Sequence, residues 1–268
     1  TGLPTKTEQS DLNQAMFGRN GEAPMVILAP ATPADCFNMA YESCRIALKY
    51  MLPVILLSDG YIANGSEPWK IPDVDSLPEI ETQVTTKKNG FAPFNHDNQN
   101  LARPWGLPGT PGLEHRVGGL EKWDETGHVS YDPDNHHKMV ELRQQKVDII
   151  ANDIPKCKIY GKGQGDLLVV GWGGTHGAIR SAVESAQSEG LSISHLHLRH
   201  LNPLPKDLGE ILVKFQKVMI PELNLGQLAM IIRSKFLVDV ISLCKVQGKP
   251  FTQTEIYHKI TELIKDMR

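Results

Sequence analysis

The sequence predicts an α/β protein in which two regions of alternating strands and helices flank a segment rich in glycine and proline. At 268 residues the chain is long enough for two ordinary domains. Of its 23 glycines and 18 prolines, 17 fall in residues 59–133, which indicates turns and irregular structure there. We therefore expect three parts, covering residues 1–58, 59–151 and 152–268.

The first part reads as one strand–helix–strand unit. The apolar run 25–29 (MVILA) is typical of a buried strand, and 53–57 (PVILL) is a second one. Between them, residues 33–51 carry apolar side chains at helical spacing, with Thr32 as N-cap and Pro33 in the first turn. Such a unit predicts a parallel pair of strands, which is too little for a whole domain.

The last part alternates more regularly and predicts a doubly wound parallel sheet covered by helices on both faces. The predicted strands are 166–171, 191–199, 217–221 and 239–245. The predicted helices are 175–189, 206–215, 225–237 and 253–267.

The middle part is too long and too aromatic to be a simple linker. It contains Trp69, Trp105 and Trp123, which are three of the four tryptophans of the chain. Large aromatic residues on a segment that cannot form its own core suggest docking. The segment either lies across a partner chain or wraps over the domains of its own chain. A helix over residues 132–151 then leads into the last part.

Composition excludes several classes of protein. The net charge of −3 gives no general attraction to nucleic acid or to an acidic membrane surface. No apolar run approaches the roughly 20 residues of a membrane span. The four cysteines form no CxxC pair, so an iron–sulfur cluster or zinc ribbon held by this chain alone is not expected. A disulfide framework is also not indicated, and we expect a reducing, cytoplasmic location.

Two local motifs could bind a ligand or could simply be turns. Residues 171–177 (GWGGTHG) follow a strand and open a helix, close to the GxGxxG pattern of nucleotide-binding turns, and Arg199 could accept a 2′-phosphate of NADP. The third glycine is one place late, however, and a tight strand-to-helix turn is favoured. Asp59 and Asn64 are similar to an acid–amide pair that holds Mg²⁺ on a diphosphate, but their spacing favours a strand-end turn capped by Asp59.

Two histidines alternate along a predicted strand. His195 and His197 therefore face the same side of the sheet, as metal ligands can. No third ligand is placed beside them by the sequence, and a polar, hydrogen-bonded strand face is the favoured interpretation.

The opening segment 5–11 (TKTEQSD) places many donors and acceptors just before a helical stretch. It is either an exposed loop or a lip beside an anionic site. In the second case Lys6 supplies charge, Gln9 and Asp11 supply directional hydrogen bonds, and the following helix N-terminus adds partial positive potential.

The same segment carries a resemblance to a known family. Residues 1–12 (TGLPTKTEQSDL) are similar to a block of the α subunits of 2-oxoacid:ferredoxin oxidoreductases, most of all the 2-oxoglutarate enzymes. Further matching blocks follow in the same order along the chain. They are 18–22 (GRNGE), 34–37 (ADCF), 59–65 (DGYIANG), 111–115 (PGLEH), 127–132 (GHVSYD) and 221–228 (PELNLGQL).

The resemblance implies a fold and a reaction. The fold is part of a thiamine-diphosphate pyrimidine-binding domain followed by a transketolase C-terminal-like domain. In the reaction, thiamine diphosphate attacks the 2-oxo carbon, CO₂ leaves, electrons pass through iron–sulfur clusters to ferredoxin, and the acyl group goes to coenzyme A. The family's β subunit supplies the Mg²⁺–diphosphate domain and the cluster ligands, so we expect a β subunit as partner.

The resemblance also implies what this chain does not contain. In the family, the glutamate that protonates the aminopyrimidine ring precedes the TGLPT block, so no catalytic residue is assigned here. We carry over only Thr5, Lys6, Gln9 and Asp11, as residues near the cofactor and the substrate entrance. We expect the first domain to receive its remaining half from another chain or to stay exposed, and the isolated chain to be inactive. The alternatives are a non-catalytic interaction module and an NADP-binding domain.

Overall fold

The computed structural model describes residues 2–4, 6–82 and 84–267. The helices, numbered along the chain, are α1 Leu12–Phe17, α2 Asp35–Tyr50, α3 Gly60–Asn64, α4 Pro133–Ile149, α5 His176–Ser188, α6 Leu208–Leu212, α7 Gln227–Phe236 and α8 Gln253–Lys265. The strands are β1 Val26–Leu28, β2 Val54–Leu56, β3 Val84–Thr85, β4 Trp105–Gly106, β5 Ile159–Tyr160, β6 Gly165–Trp172, β7 Ile193–Leu198, β8 His200–Asn202, β9 Phe215–Glu222 and β10 Val240–Cys244.

The last part of the chain forms a five-stranded sheet in the order β10-β9-β6-β7-β5. The four predicted strands lie in this sheet and run parallel, while the unpredicted β5 is antiparallel on the edge. Side chains that alternate along β6 enter two different cores. Leu168 and Val170 pack with α6 and α7 on one face, and Leu167 and Val169 pack with α5 and α8 on the other. The doubly wound α/β prediction is therefore confirmed.

Two predicted elements of this region differ from the structure. The helix expected over 206–215 is only the short α6, because Phe215 already begins β9. The strand expected over 191–199 is shorter, since β7 covers Ile193–Leu198, and a further strand that was not predicted, β8, begins at His200. The break at Arg199 lets the chain leave the large sheet and join another one.

The first part forms a three-stranded sheet in the order β2-β1-β8. The strands β1 and β2 are parallel, as predicted, and α2 lies between them in the chain. The third strand, β8, pairs antiparallel with β1 and comes from the far end of the sequence. The unit was expected to be extended by another chain or to stay exposed, and on this side it is instead extended by a strand of its own chain. Among the described residues β2 has no strand partner on its outer edge.

Helix α2 starts two residues later than its expected cap would place it. Ala34 occupies the N-cap position, and its side chain cannot accept a hydrogen bond. Thr32 is therefore not the N-cap, although its hydroxyl still accepts a hydrogen bond from Asp35 N at 3.3 Å. The helix buries Met39, Ile46 and Tyr50 against β1 and α4.

The middle segment lies on the chain's own helices. The indole Nε1 of Trp105 donates to Leu48 O of α2 at 3.0 Å, and the Trp69 ring lies 5.5 Å from that of Phe37. Of the two arrangements left open by the sequence, the described residues adopt the wrap over their own chain. The helix predicted after the segment is present as α4, where Pro133 follows the capping residue Asp132.

No helix in the described ranges is long and apolar enough to cross a membrane.

Candidate functional site

The opening segment, residues 6–11, lies over the carboxyl ends of the large sheet. Thr7 N donates to Gly248 O at 3.1 Å, just beyond β10. Two residues further, Gln9 N donates to Leu223 O at 3.2 Å, just beyond β9. Helix α1 then begins at Leu12, which is fully buried and anchors this short helix in the core. The segment is therefore fixed at both of its ends by the sheet.

Gln9 connects two strand ends of this sheet. Its side chain is 2% exposed, and its Nε2 donates to Trp172 O at 2.7 Å while its Oε1 accepts from Leu223 N at 2.9 Å. Its backbone oxygen accepts from Asn224 Nδ2 at 2.8 Å. Both polar atoms of the Gln9 side chain are thus used inside the protein.

Asp59 makes the corresponding connection from the other sheet. It follows β2, is 6% exposed, and caps α3 by accepting from Tyr61 N at 3.0 Å and Ile62 N at 3.2 Å. Its second oxygen accepts from Gly174 N at 2.5 Å. The interpretation of Asp59 as the cap of a strand-end turn is confirmed, and the structure adds a bond between the two sheets.

The turn at residues 171–177 has no room for a nucleotide phosphate. A Cβ atom on Gly174 would lie 2.6 Å from Asp59 Oδ1, and one on Gly173 would lie 2.8 Å from both Asp59 Oδ2 and Gln9 Nε2. In open α/β sheets, ligands enter the crevice where the strand order reverses, which here lies between the ends of β6 and β9. Gln9 and Asp59 fill that crevice. The glycines serve close approach of the chain's own side chains.

Arg199 is also paired with another side chain of this protein. Its Nε donates to Asp35 Oδ2 at 2.9 Å and its Nη2 to Asp35 Oδ1 at 2.6 Å, so the guanidinium and the carboxylate form a two-point pair. The NADP-binding alternative, which needed this arginine and the glycine turn, is therefore wrong.

Glu222, at the end of β9, organises the same region. Its side chain is fully buried and accepts hydrogen bonds from the backbone N–H groups of Leu228 and Ala229, from Asn224 Nδ2 and from Trp172 Nε1. Burial raises the pKa of Glu222, and these donors act against the rise. The carboxylate holds the first turn of α7. The sequence analysis missed this role, although an acid followed by a turn at residues 221–226 (PELNLG) was the available signal.

Two residues of the opening segment face outward. Lys6 is exposed, with its Nζ 3.2 Å from Glu8 Oε2, and Asp11 is exposed at the N-cap of α1, where its side chain makes no cap hydrogen bond. Of the four residues predicted to lie near the cofactor, Lys6 and Asp11 are thus exposed to a group outside the chain, and Asp11 Oδ1 also accepts from Ser10 Oγ at 3.1 Å. Gln9 is buried between strand ends, and Thr5 lies outside the described residues. Their role toward a cofactor stays a prediction.

A third histidine joins the pair found in the sequence. His176, the first residue of α5, brings its ring centroid to 5.5 Å from that of His195 and 4.8 Å from that of His197. Among the described residues, His195 Nε2 and both ring nitrogens of His197 have no hydrogen-bond partner. The expected hydrogen-bonded strand face is therefore wrong. Burial lowers the pKa of His195 to about 3 and lowers that of His197 well below its usual value, so both rings are neutral at pH 7. Within the described ranges, no group of three His, Cys, Asp or Glu side chains is placed to hold a metal ion.

The described residues thus form a rim rather than a closed cofactor pocket. The crevice behind the rim is filled by Gln9 and Asp59, so a thiamine diphosphate does not fit inside it. Lys6 and Asp11 lie on the outer side of the rim, away from this crevice. No chemical step is assigned to the described residues on this geometry.

Comparison with known proteins matches this geometry to one family. Residues 1–132 match the family described as "Pyruvate flavodoxin/ferredoxin oxidoreductase, thiamine diP-bdg". Among solved structures, the chain superposes on a 2-oxoglutarate:ferredoxin oxidoreductase from Magnetococcus marinus, whose structure has 2-oxoglutarate, coenzyme A and succinyl-CoA bound. The TM-score is 0.90 at 31% identity, over 98% of this chain and 46% of that one.

Curated relatives point the same way. The chain is 53% identical over 257 residues to the 2-oxoglutarate oxidoreductase subunit KorA of Mycobacterium tuberculosis, covering 96% of this chain and 39% of the relative. It is 32% identical to the α subunit of 2-oxoacid:ferredoxin oxidoreductase 1 of Aeropyrum pernix, over 100% of this chain and 43% of the relative. The chain therefore spans about two-fifths of the length of these relatives.

Proposed function

Because this chain belongs to the α-subunit family of the 2-oxoacid:ferredoxin oxidoreductases, we propose that it forms part of an enzyme that oxidatively decarboxylates 2-oxoglutarate. The products are an acyl-CoA and CO₂, and the electrons go to ferredoxin. The observation that carries the proposal is the superposition, over nearly the whole chain, on the Magnetococcus marinus enzyme. The choice of 2-oxoglutarate rests on that structure and on the 53% identical relative.

We further propose that the cofactor is shared between subunits. Thiamine diphosphate supplies the carbanion chemistry when bound, and the protein supplies placement and electrostatics. A β subunit would hold the Mg²⁺–diphosphate end and the iron–sulfur cluster. This division agrees with the open rim on this chain, and it gives Lys6 and Asp11 a group to face. A cytoplasmic location stays a prediction.

Exposed apolar residues around the rim support a subunit contact at this place. Leu225 is 85% exposed and directly follows Asn224, which is bonded to Gln9. Leu3 and Val246 are also exposed, and both lie close to the Gly248 loop that holds Thr7. Apolar side chains rimmed by charges are typical of a protein–protein contact.

The direct test is an activity measurement on the complete α subunit that contains this chain, assembled with its β subunit. We expect reduction of methyl viologen that requires 2-oxoglutarate and coenzyme A together, with succinyl-CoA detected by mass spectrometry. The variants Lys6→Met and Asp11→Asn should lower kcat/KM by about tenfold, the size expected for loss of one hydrogen bond to a charged partner. Their urea midpoints should stay unchanged, because both side chains are exposed.

The control is Lys214→Met, since Lys214 is exposed at the amino end of β9, at the opposite end of that strand from the rim. Viologen reduction that is independent of 2-oxoglutarate would contradict the substrate. Lys6 and Asp11 variants that behave like the Lys214 variant would contradict the role of the rim.

The second candidate is a non-catalytic interaction module. It is favoured by the middle segment, where Ile71, Val74 and Val117 are 77%, 76% and 84% exposed. An assembled complex that forms at full yield but shows no turnover with any 2-oxoacid would support this candidate against the enzyme.

A further inference from the structure

A cavity of about 550 Å³ lies at the amino ends of β1 and β2, between the middle segment and α4. This end of the strands is opposite to the one where Asp59 lies. Its apolar wall includes Met25, Leu52, Leu101 and Leu142. The volume falls within the range of small-molecule sites, roughly 300–1,000 Å³. We call it the basal cavity.

Two positive side chains from different segments line the basal cavity. Arg103 comes from the middle segment, with its guanidinium carbon 4.1 Å from the centre of the Phe94 ring, and Lys146 comes from the last turn of α4. Among the described residues neither side chain forms an ion pair within 4.0 Å or a hydrogen bond. Burial lowers the pKa of Lys146 to about 8, and the charge of Arg103 contributes to this shift. Burial also lowers the pKa of Arg103.

The other charged groups of the basal cavity are paired, apart from one oxygen of Asp124. Glu121 pairs with His136 at 2.5 Å and with Arg143 at 3.5 Å. Asp124 Oδ2 contacts Lys138, while its buried Oδ1 lies 3.5 Å from His96 Nδ1 and has no hydrogen-bond partner among the described residues. The ammonium group of Lys122 donates to two backbone oxygens, Gly118 O and Leu120 O. These pairs leave Arg103 and Lys146 as two like charges without a counter-charge.

Holding two unpaired cations side by side in a partly dry site is unfavourable unless an anion joins them. The wall around them is mostly apolar, so the ligand needs more than a charged head. We propose that the basal cavity binds a small organic anion whose carboxylate or phosphate lies between Arg103 and Lys146 and whose apolar body contacts Met25, Leu52 and Leu101. Such a site is separate from anything assigned above.

The test is calorimetric titration of this chain at pH 7 with three probes: inorganic phosphate, hexanoate and hexyl phosphate. The hexyl compounds should bind and inorganic phosphate should bind more weakly, because it cannot use the apolar wall. The stronger of the two hexyl compounds identifies the head group. Lys146→Gln and Arg103→Gln should each weaken binding by about tenfold or more. Lys214→Gln, on an exposed lysine elsewhere, should leave it unchanged.

Two further readouts separate binding from a structural effect. Without ligand, Lys146→Gln should raise the melting temperature, because it removes a half-buried charge that Arg103 repels. Binding to the unchanged chain should weaken as the pH rises through about 8, where Lys146 loses its proton. No binding of any probe at millimolar concentration would overturn the proposal, as would equal binding to the Lys146→Gln and Lys214→Gln variants. If either Lys146→Gln or Arg103→Gln fails to fold, the affinity of the other variant for the hexyl probes still tests the proposal.

Discussion

Replacing Asp59 by alanine should destabilise the protein by about 2–4 kcal/mol. The change removes the cap of α3, which costs about 1 kcal/mol in typical helices. It also leaves Gly174 N buried without its acceptor, because Asp59 Oδ2 lies 2.5 Å away and Gly174 is shielded from water. An unsatisfied buried donor costs about 1–3 kcal/mol. The sum is a large share of a typical unfolding free energy.

Urea unfolding followed by circular dichroism measures this loss. The matched control is Asp73→Ala, which also removes an aspartate cap. Asp73 is exposed and, among the described residues, its carboxylate accepts only from Asp75 N at 3.2 Å, so its loss should cost under about 1 kcal/mol. An equal effect of the two substitutions would refute the reasoning, since Asp59 would then act as a helix cap alone and contribute nothing between the sheets.

Three other predictions concern the core and its titrating groups. Burial would raise the pKa of Glu42, but the hydrogen bonds and charges of Arg45 and His200 together outweigh it and lower the pKa to about 2. Glu42 therefore stabilises the fold above pH 4.5 and loses this effect as the pH falls toward 2. In urea unfolding, Glu42→Gln should be less stable than the unsubstituted protein at pH 7, and the two unfolding free energies should converge as the pH approaches 2. Burial lowers the pKa of His195 from 6.5 to about 3, so acidification between these values favours the unfolded state. His195→Leu should therefore flatten the dependence of the unfolding free energy on pH, whereas His258→Leu, at an exposed position, should not. Leu12→Ala should cost about 2–5 kcal/mol and speed hydrogen exchange in α1, because Leu12 is fully buried and the helix is too short to be stable alone.

The regular elements were largely predictable because their patterns are local. The alternation of apolar runs and helical spacing identified the strands β6, β7, β9 and β10. It also identified the helices that cover the two faces of their sheet, α6 and α7 on one face and α5 and α8 on the other. The capping role of Asp59 also followed from its position after β2. Each of these inferences needs only a few neighbouring residues.

The contacts between distant segments could not be read in this way. Gln9 bonds to Trp172, 163 residues further along the chain, and Asp59 bonds to Gly174, 115 residues further. The strand β8 has three residues, and its partner β1 lies at the other end of the sequence. No local pattern separates such a short strand from the residues that follow β7, so β8 was not predicted.

The polar residues of the site show the same limit. A sequence places Gln9 beside Lys6 and Asp11, and the three were therefore predicted to share one role. In the structure Gln9 is buried and both polar atoms of its side chain form hydrogen bonds, while Lys6 and Asp11 face outward. Which side of an extended segment meets the sheet is decided by the strand ends beneath it.

We propose above that this chain presents an open rim to a cofactor whose binding site is completed by another subunit. Calorimetric titration of thiamine diphosphate with Mg²⁺ tests it most directly, first into the 268-residue chain alone and then into its mixture with the β subunit. We expect no binding heat when thiamine diphosphate is titrated into the chain alone, and saturable, Mg²⁺-dependent binding once the β subunit is present. Tight, Mg²⁺-dependent binding to the chain alone would contradict it.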